Sequence, residues 1–252
     1  MSPTAFAVAA HPDDIEFMMA GTLLLLARVG WQTHVMNLAN GSCGTATHDR
    51  DTIVALRTQE ARDAAGVLGA TWHGPLVDDI EILYELPALR RLCAVVREVQ
   101  PTILLLPSPQ DYMEDHANTC RLGVSAAFCR GMPNFITDPP SAAVAGDMAV
   151  YHALPYGLRD QLRRPIEPDF RVDISSVLEV KRRALGCHRS QRRWLDDSQG
   201  IDSYLKAMED MSAEVGSAAG LHYAEGWRRH SHLGFGPEDF DPLREALAAL
   251  AR

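Results

Sequence analysis

The chain has 252 residues, 46% of them apolar, which is enough to bury a full core in one large α/β domain spanning 1–252. Its formal charge is −9 and its pI is near 5.5; such a surface repels a phosphate backbone and excludes nucleic acid as a partner. The five cysteines, odd in number and without a C-x-x-C pair, suit reduced thiols in a cytoplasm better than a disulfide frame.

AFAVAA (Ala5 to Ala10) is a continuous apolar run read as a first strand. The opening segment has no basic region, so it is not read as a secretory signal, and the LLLLA run is too short to span a bilayer. Ile15 to Val29 has helical spacing with Gly30 as its stop, and Gln32 to Ala39 is a second strand. A polar loop, Asn40 to Asp51, precedes a helix over Thr52 to Leu68 that ends at Gly69. Thr71 to Val77 is a third strand, Leu86 to Val99 a further helix, and TILLLP (Thr102 to Pro107) a fourth, buried strand. Met148 to Ala153 and Phe170 to Ser175 read as later strands, and Val177 to Ser190 as a helix. This alternation predicts a Rossmann-like three-layer sandwich with a mostly parallel sheet.

Between the first strand and its helix stands HPDDIE (His11 to Glu16). In a doubly wound sheet of order 3-2-1-4 the first and fourth strands are neighbours, and ligands gather beyond their carboxyl ends. The loops starting at His11 and Ser108 therefore meet, which brings His11, Asp14 and His116 within reach of one ion. Two imidazoles and one carboxylate with an open position make a catalytic type of zinc site. Pro12 biases His11 away from helical backbone, and Asp13 is the candidate base for an ion-activated water.

HPDD after a strand and a D-H pair after the fourth strand resemble the PIG-L/LmbE-like family of zinc-dependent N-deacetylases. Further matching stretches are Asn40-Gly41, R-T-Q-E-A (Arg57 to Ala61), V-D-I-S (Val172 to Ser175), K-R-R-A-L-G-C-H-R-S-Q (Lys181 to Gln191) and Y-A-E-G (Tyr223 to Gly226). The bacillithiol-type enzymes, which deacetylate glucosaminyl-malate and often form hexamers, look closest in order and length. The resemblance implies Zn2+, or another divalent first-row metal, on His11, Asp14 and His116, with Asp13 as general base. It implies a substrate contact at Arg57, a supporting position at His188, and an orienting carboxylate at Asp115. The substrate class implied is an N-acetylglucosamine-type conjugate. The implied protein is a homo-oligomer, hexameric in that subgroup, working in the cytoplasm with neither membrane nor nucleic acid as partner.

One position departs from the pattern. The family writes its second motif H-P-D-H, whereas this chain has M-E-D-H, Met113 to His116. Methionine can neither stabilise an oxyanion nor protonate an amine, and a lost oxyanion donor costs on the order of 10²- to 10³-fold in rate. Tyr112, His73 and His188 are the candidates to replace it. The alternatives are a substrate that is a non-sugar amide, or a catalytically impaired zinc- or sugar-binding member. Specificity is assigned to loops 40–51, 78–86 and 132–170.

Overall fold

The computed structural model describes residues 2–192 and 204–252. In chain order the elements that build the frame are β1 (Thr4–Ala9), α1 (Asp14–Met18), α2 (Ala20–Arg28), β2 (Gln32–Asn37), α3 (Arg50–Leu68), β3 (Thr71–His73), α4 (Leu86–Val99), β4 (Ile103–Leu106) and α5 (Glu114–Cys129). The second half adds β5 (Ala149–Ala153), β6 (Phe170–Asp173), α6 (Leu178–Leu185), α7 (Tyr204–Ser217), β7 (Ala224–Arg229) and α8 (Pro242–Ala246). The strands form one sheet in the order β3-β2-β1-β4-β5-β7-β6. β1 pairs in parallel with β2 and β4, β2 with β3, and β4 with β5, while β7 runs antiparallel to both neighbours.

The period-2 alternation of a strand sends successive side chains to opposite faces. Ala5, Ala7 and Ala9 pack with Ile15, Met19, Leu23 and Leu26, the layer of α1 and α2. Phe6 and Val8 pack with Leu89, Leu92, Val96 and Leu122, the layer of α4 and α5. Both faces are covered, which is why these strands are apolar throughout. The predicted three-layer α/β frame is therefore the observed one. Among the described residues no helix is long and apolar enough to cross a membrane.

Several boundaries differ from expectation, and the strand predicted over Thr71 to Val77 ends at His73. The helix predicted over Ile15 to Val29 is two helices, with Met19 off helical geometry at φ −133° and ψ −20°. The cause is remote in sequence: the Glu225 carboxylate accepts from the Gly21 and Thr22 amides at 2.8 and 2.7 Å, so a new helix amino terminus begins there. The strand predicted to reach Ser175 stops at Asp173, whose carboxylate turns back to accept from the Ser175 amide and hydroxyl. The helix predicted over Val177 to Ser190 ends at Leu185, and residues 186–187 make a turn.

Glu225 also binds Lys181, whose Nζ lies 2.7 Å from Oε1, and both side chains are withdrawn from solvent. Removing one member of a buried pair leaves the other charge without compensation, at a cost of about 3–5 kcal/mol. Lys181→Ala is therefore expected to lower unfolding free energy by about that amount, read from the midpoint of urea unfolding; a midpoint within error of the parent would dismiss the pair as a structural tie.

Candidate metal centre and cleft

The site is built from loops at the carboxyl ends of β1 to β5. His11 leaves β1, and Asp14 opens α1, its Oδ2 accepting the His11 amide at 2.7 Å. Between them Asp13 has φ 109°, a left-handed backbone in which aspartate is among the more tolerant non-glycine residues. Asn37 on β2 and Arg57 on α3 hold the loop from behind, donating to the carbonyl oxygens of His11 and Pro12. His116 stands in the first turn of α5.

The tautomers of the two histidines follow from their partners. His11 Nε2 lies 2.9 Å from Asp115 Oδ2, and His116 Nδ1 lies 3.0 Å from Asp111 Oδ1. A carboxylate only accepts, so those nitrogens carry the protons. The remaining lone pairs, His11 Nδ1 and His116 Nε2, lie 3.7 and 3.4 Å from Asp14 Oδ2. One ligand atom from each of His11, Asp14 and His116 falls within 4.8 Å of the other two. Two imidazoles backed by carboxylates and turned toward a third carboxylate form a donor set that fits a divalent cation.

The electrostatics agree. Burial lowers the proton affinity of His11, but its bonds to Asp115 and Asp14 and the charges of Asp14 and Asp79 outweigh this and push its pKa up to about 10. Burial penalises the Asp14 carboxylate, yet the charges of His116 and His11 hold it well below the usual carboxylate range. The excess of carboxylates around two rings is a demand for positive charge.

Asp13 faces the same cleft without joining that trio. Its Oδ2 accepts from the Tyr204 hydroxyl at 2.6 Å and lies 3.8 Å from Arg57 Nη2. Burial pushes its carboxyl above the ordinary range, and Arg57 opposes that shift. Arg57 is itself buried.

The cleft over these groups has a volume of about 410 Å3, and Asp13, Arg57, Tyr112 and Met113 all line it. His188 does not line the cleft; it is buried with Nε2 3.3 Å from Glu16 Oε2. Asn40 and Gly41 stand behind the cleft, Asn40 donating to Asp78 and Gly41 to Asp79. Gly41 has φ 81°, and the Arg57 side chain packs where a Cβ would sit. His73 is remote from the cleft: its ring stacks on His34 at 5.2 Å between centroids, near the sheet edge. Of the three residues considered for the missing imidazole, only Tyr112 reaches the cleft, its ring 5.8 Å from that of His116.

Asp111, Tyr204 and Asp79 were not anticipated. Asp111 had a signal, a carboxylate five residues before His116 in the same loop. Tyr204 had none, being 191 residues from the aspartate it contacts.

The family model described as GlcNAc-PI de-N-acetylase, PIG-L, matches residues 6–127. Among curated relatives, the diacetylchitobiose deacetylase of Thermococcus kodakarensis is 28% identical over 235 residues, covering 88% of this chain and 80% of that protein. The 4-oxalmesaconate hydratase of Pseudomonas putida is 26% identical over 231 residues, covering 88% and 87%. Among solved structures, the N,N′-diacetylchitobiose deacetylase of Pyrococcus horikoshii aligns with a TM-score of 0.77 at 22% identity, over 96% of this chain and 89% of that one. Over residues 6–127, just under half of its length, the chain is similar to the PIG-L family, and its fold is that of the solved deacetylase.

Proposed function

We propose that the chain is a metal-dependent hydrolase that cleaves the N-acyl amide of a glucosamine-type conjugate, acetyl being the group its named deacetylase relative removes. The observation that carries this reading is the turning of two carboxylate-backed imidazoles and Asp14 toward one point, with the Asp13 carboxylate facing the same cleft outside that trio. His11, Asp14 and His116 would hold zinc, and iron, cobalt or nickel suit the same nitrogen and oxygen donors. Such an ion supplies a Lewis acid and lowers the pKa of water toward about 7.

Asp13 accepts the proton of the attacking water and returns it to the departing nitrogen. Tyr204 fixes the rotamer of Asp13 through its hydroxyl, and Arg57 opposes the upward push that burial gives the carboxyl. Tyr112 serves as hydrogen-bond donor to the developing oxyanion in place of the absent imidazole. Asp111 and Asp115 orient the two rings. Asp111→Asn is expected to weaken metal affinity by about 10- to 100-fold while the fold survives; titration with a competing chelator measures it, and unchanged affinity would remove Asp111 from the site.

The test is release of free amine from N-acetylglucosaminyl conjugates by the zinc-loaded protein, with metal content measured in parallel. A second reading is favoured by the relative whose name is a hydratase, because addition of water to a conjugated acid needs Asp13 and the ion but no acid for a leaving amine. Consumption of 4-oxalmesaconate without amine release would select it. Bound metal with product from neither substrate would select the impaired, binding-only alternative. The family resemblance supports one catalytic domain over 1–252 and a cytoplasmic homo-oligomer, hexameric in the bacillithiol-type manner, which sedimentation of the purified chain reads directly.

A further inference from the structure

The cleft is chemically two-sided. One side presents Asp13, Arg57, Asp79 and Gln191. The other is lined by Met18 and Pro155, with the buried Ala9, Met19, Ala153 and Leu154 packed beneath them. None of these six offers a side-chain donor, and their only acceptors are the weak thioether sulfurs of Met18 and Met19. The apolar side is closed by an arc of aromatic rings: Tyr204 to Phe17 at 5.1 Å between centroids, Phe17 to Tyr156 at 5.5 Å, and Tyr156 to Tyr112 at 6.4 Å. The arc starts at the hydroxyl on Asp13 and ends edge-on to His116. Met113, in the position of the family's imidazole, adds another apolar surface to the lining.

An amide whose carbonyl lies at the metal centre has two substituents, and the cleft has two sides. A sugar ring set against Met18, Leu154 and Pro155 loses the hydrogen bonds it made to water, and only the tyrosine hydroxyls at the ends of the arc could replace any of them. The sugar therefore takes the polar side, and the acyl group takes the apolar one. An acetyl methyl would touch little of that wall. We propose, resting on the N-deacylase reading above, that the apolar side is an acyl pocket and that the preferred substrates carry a linear acyl chain longer than acetyl, of about four to six carbons. The same chemistry accounts for Met113: a thioether is at home against an alkyl chain, and an imidazole there would have to be desolvated by it.

The test compares N-acetyl-, N-butanoyl- and N-hexanoyl-glucosamine with the zinc-loaded protein. Each methylene buried is expected to raise kcat/KM by roughly three- to fourfold until the pocket is filled. A rate highest for acetyl and falling with chain length would overturn the pocket. Tyr156→Ala, at a half-exposed ring of the arc, is expected to cut the hexanoyl-to-acetyl ratio several-fold, as is Met113→His, which sets a polar ring in the lining; ratios unchanged in both variants would also overturn it.

Binding separates this inference from the reading it rests on. With the Asp13→Asn protein, calorimetry is expected to give a tighter Kd for N-hexanoyl- than for N-acetyl-glucosamine. Equal constants refute the acyl pocket even if the enzyme deacetylates. A tighter hexanoyl constant with no amine released by the parent keeps the pocket and rejects the hydrolase.

Discussion

Asp14→Ala is expected to abolish metal binding and turnover together. Asp14 is the one carboxylate among the three convergent side chains, and one nitrogen of each imidazole lies 3.4 or 3.7 Å from its Oδ2. Without it two rings remain, each hydrogen-bonded to a carboxylate of its own, and the third ligand atom is gone. The loss of rate is on the order of 10³-fold or more, because water returns from a pKa near 7 toward its bulk value of 15.7 when the ion leaves. Its backbone role is smaller: Oδ2 also accepts the His11 amide, so a modest loss of order in the loop accompanies the substitution. Metal analysis after gel filtration and a progress curve in excess zinc are the two measurements. An Asp14→Ala protein that retains one equivalent of zinc and normal turnover would sink the metal centre, and His116→Ala provides the independent check.

The second large effect separates chemistry from ligation. Asp13→Asn is expected to keep the ion and to lower kcat on the order of 10²- to 10⁴-fold, the usual contribution of a positioned general base. The substitution is clean in structural terms. Asparagine shares aspartate's tolerance of left-handed backbone, so φ 109° is preserved, and its amide oxygen still accepts from Tyr204. What disappears is the negative charge and the capacity to take a proton. A variant with full metal occupancy and a parental rate would dismiss Asp13 as the base and shift attention to another carboxylate of the cleft, Asp79 first.

The order of the parallel strands was readable because their physics is local. Ile103 to Leu106 is apolar at every position, as a strand covered on both faces must be, and Gly69 ends its helix at φ 69° as a left-handed cap does. Once β1 and β4 are neighbours, the convergence of His11 with His116 follows from where loops leave a parallel sheet. Other features were illegible because their causes lie far along the chain. Nothing between Ile15 and Val29 announces the break at Met19, since the carboxylate that imposes it belongs to residue 225. Asp111 and Asp115 both lie within five residues of His116, but which of them faces which ring depends on where α5 begins. β7 carries Glu225, Arg228 and Arg229 in six residues, a pattern that reads as solvent-facing until its place between β5 and β6 is known.

The bond from Glu225 to the Gly21 and Thr22 amides spans more than two hundred residues of chain. A ribosome that has just released HPDD has yet to synthesise the group that settles the helix behind it. A nascent chain with His11 and Asp14 already outside the exit tunnel therefore lacks the carboxylate that accepts from the first turn of α2.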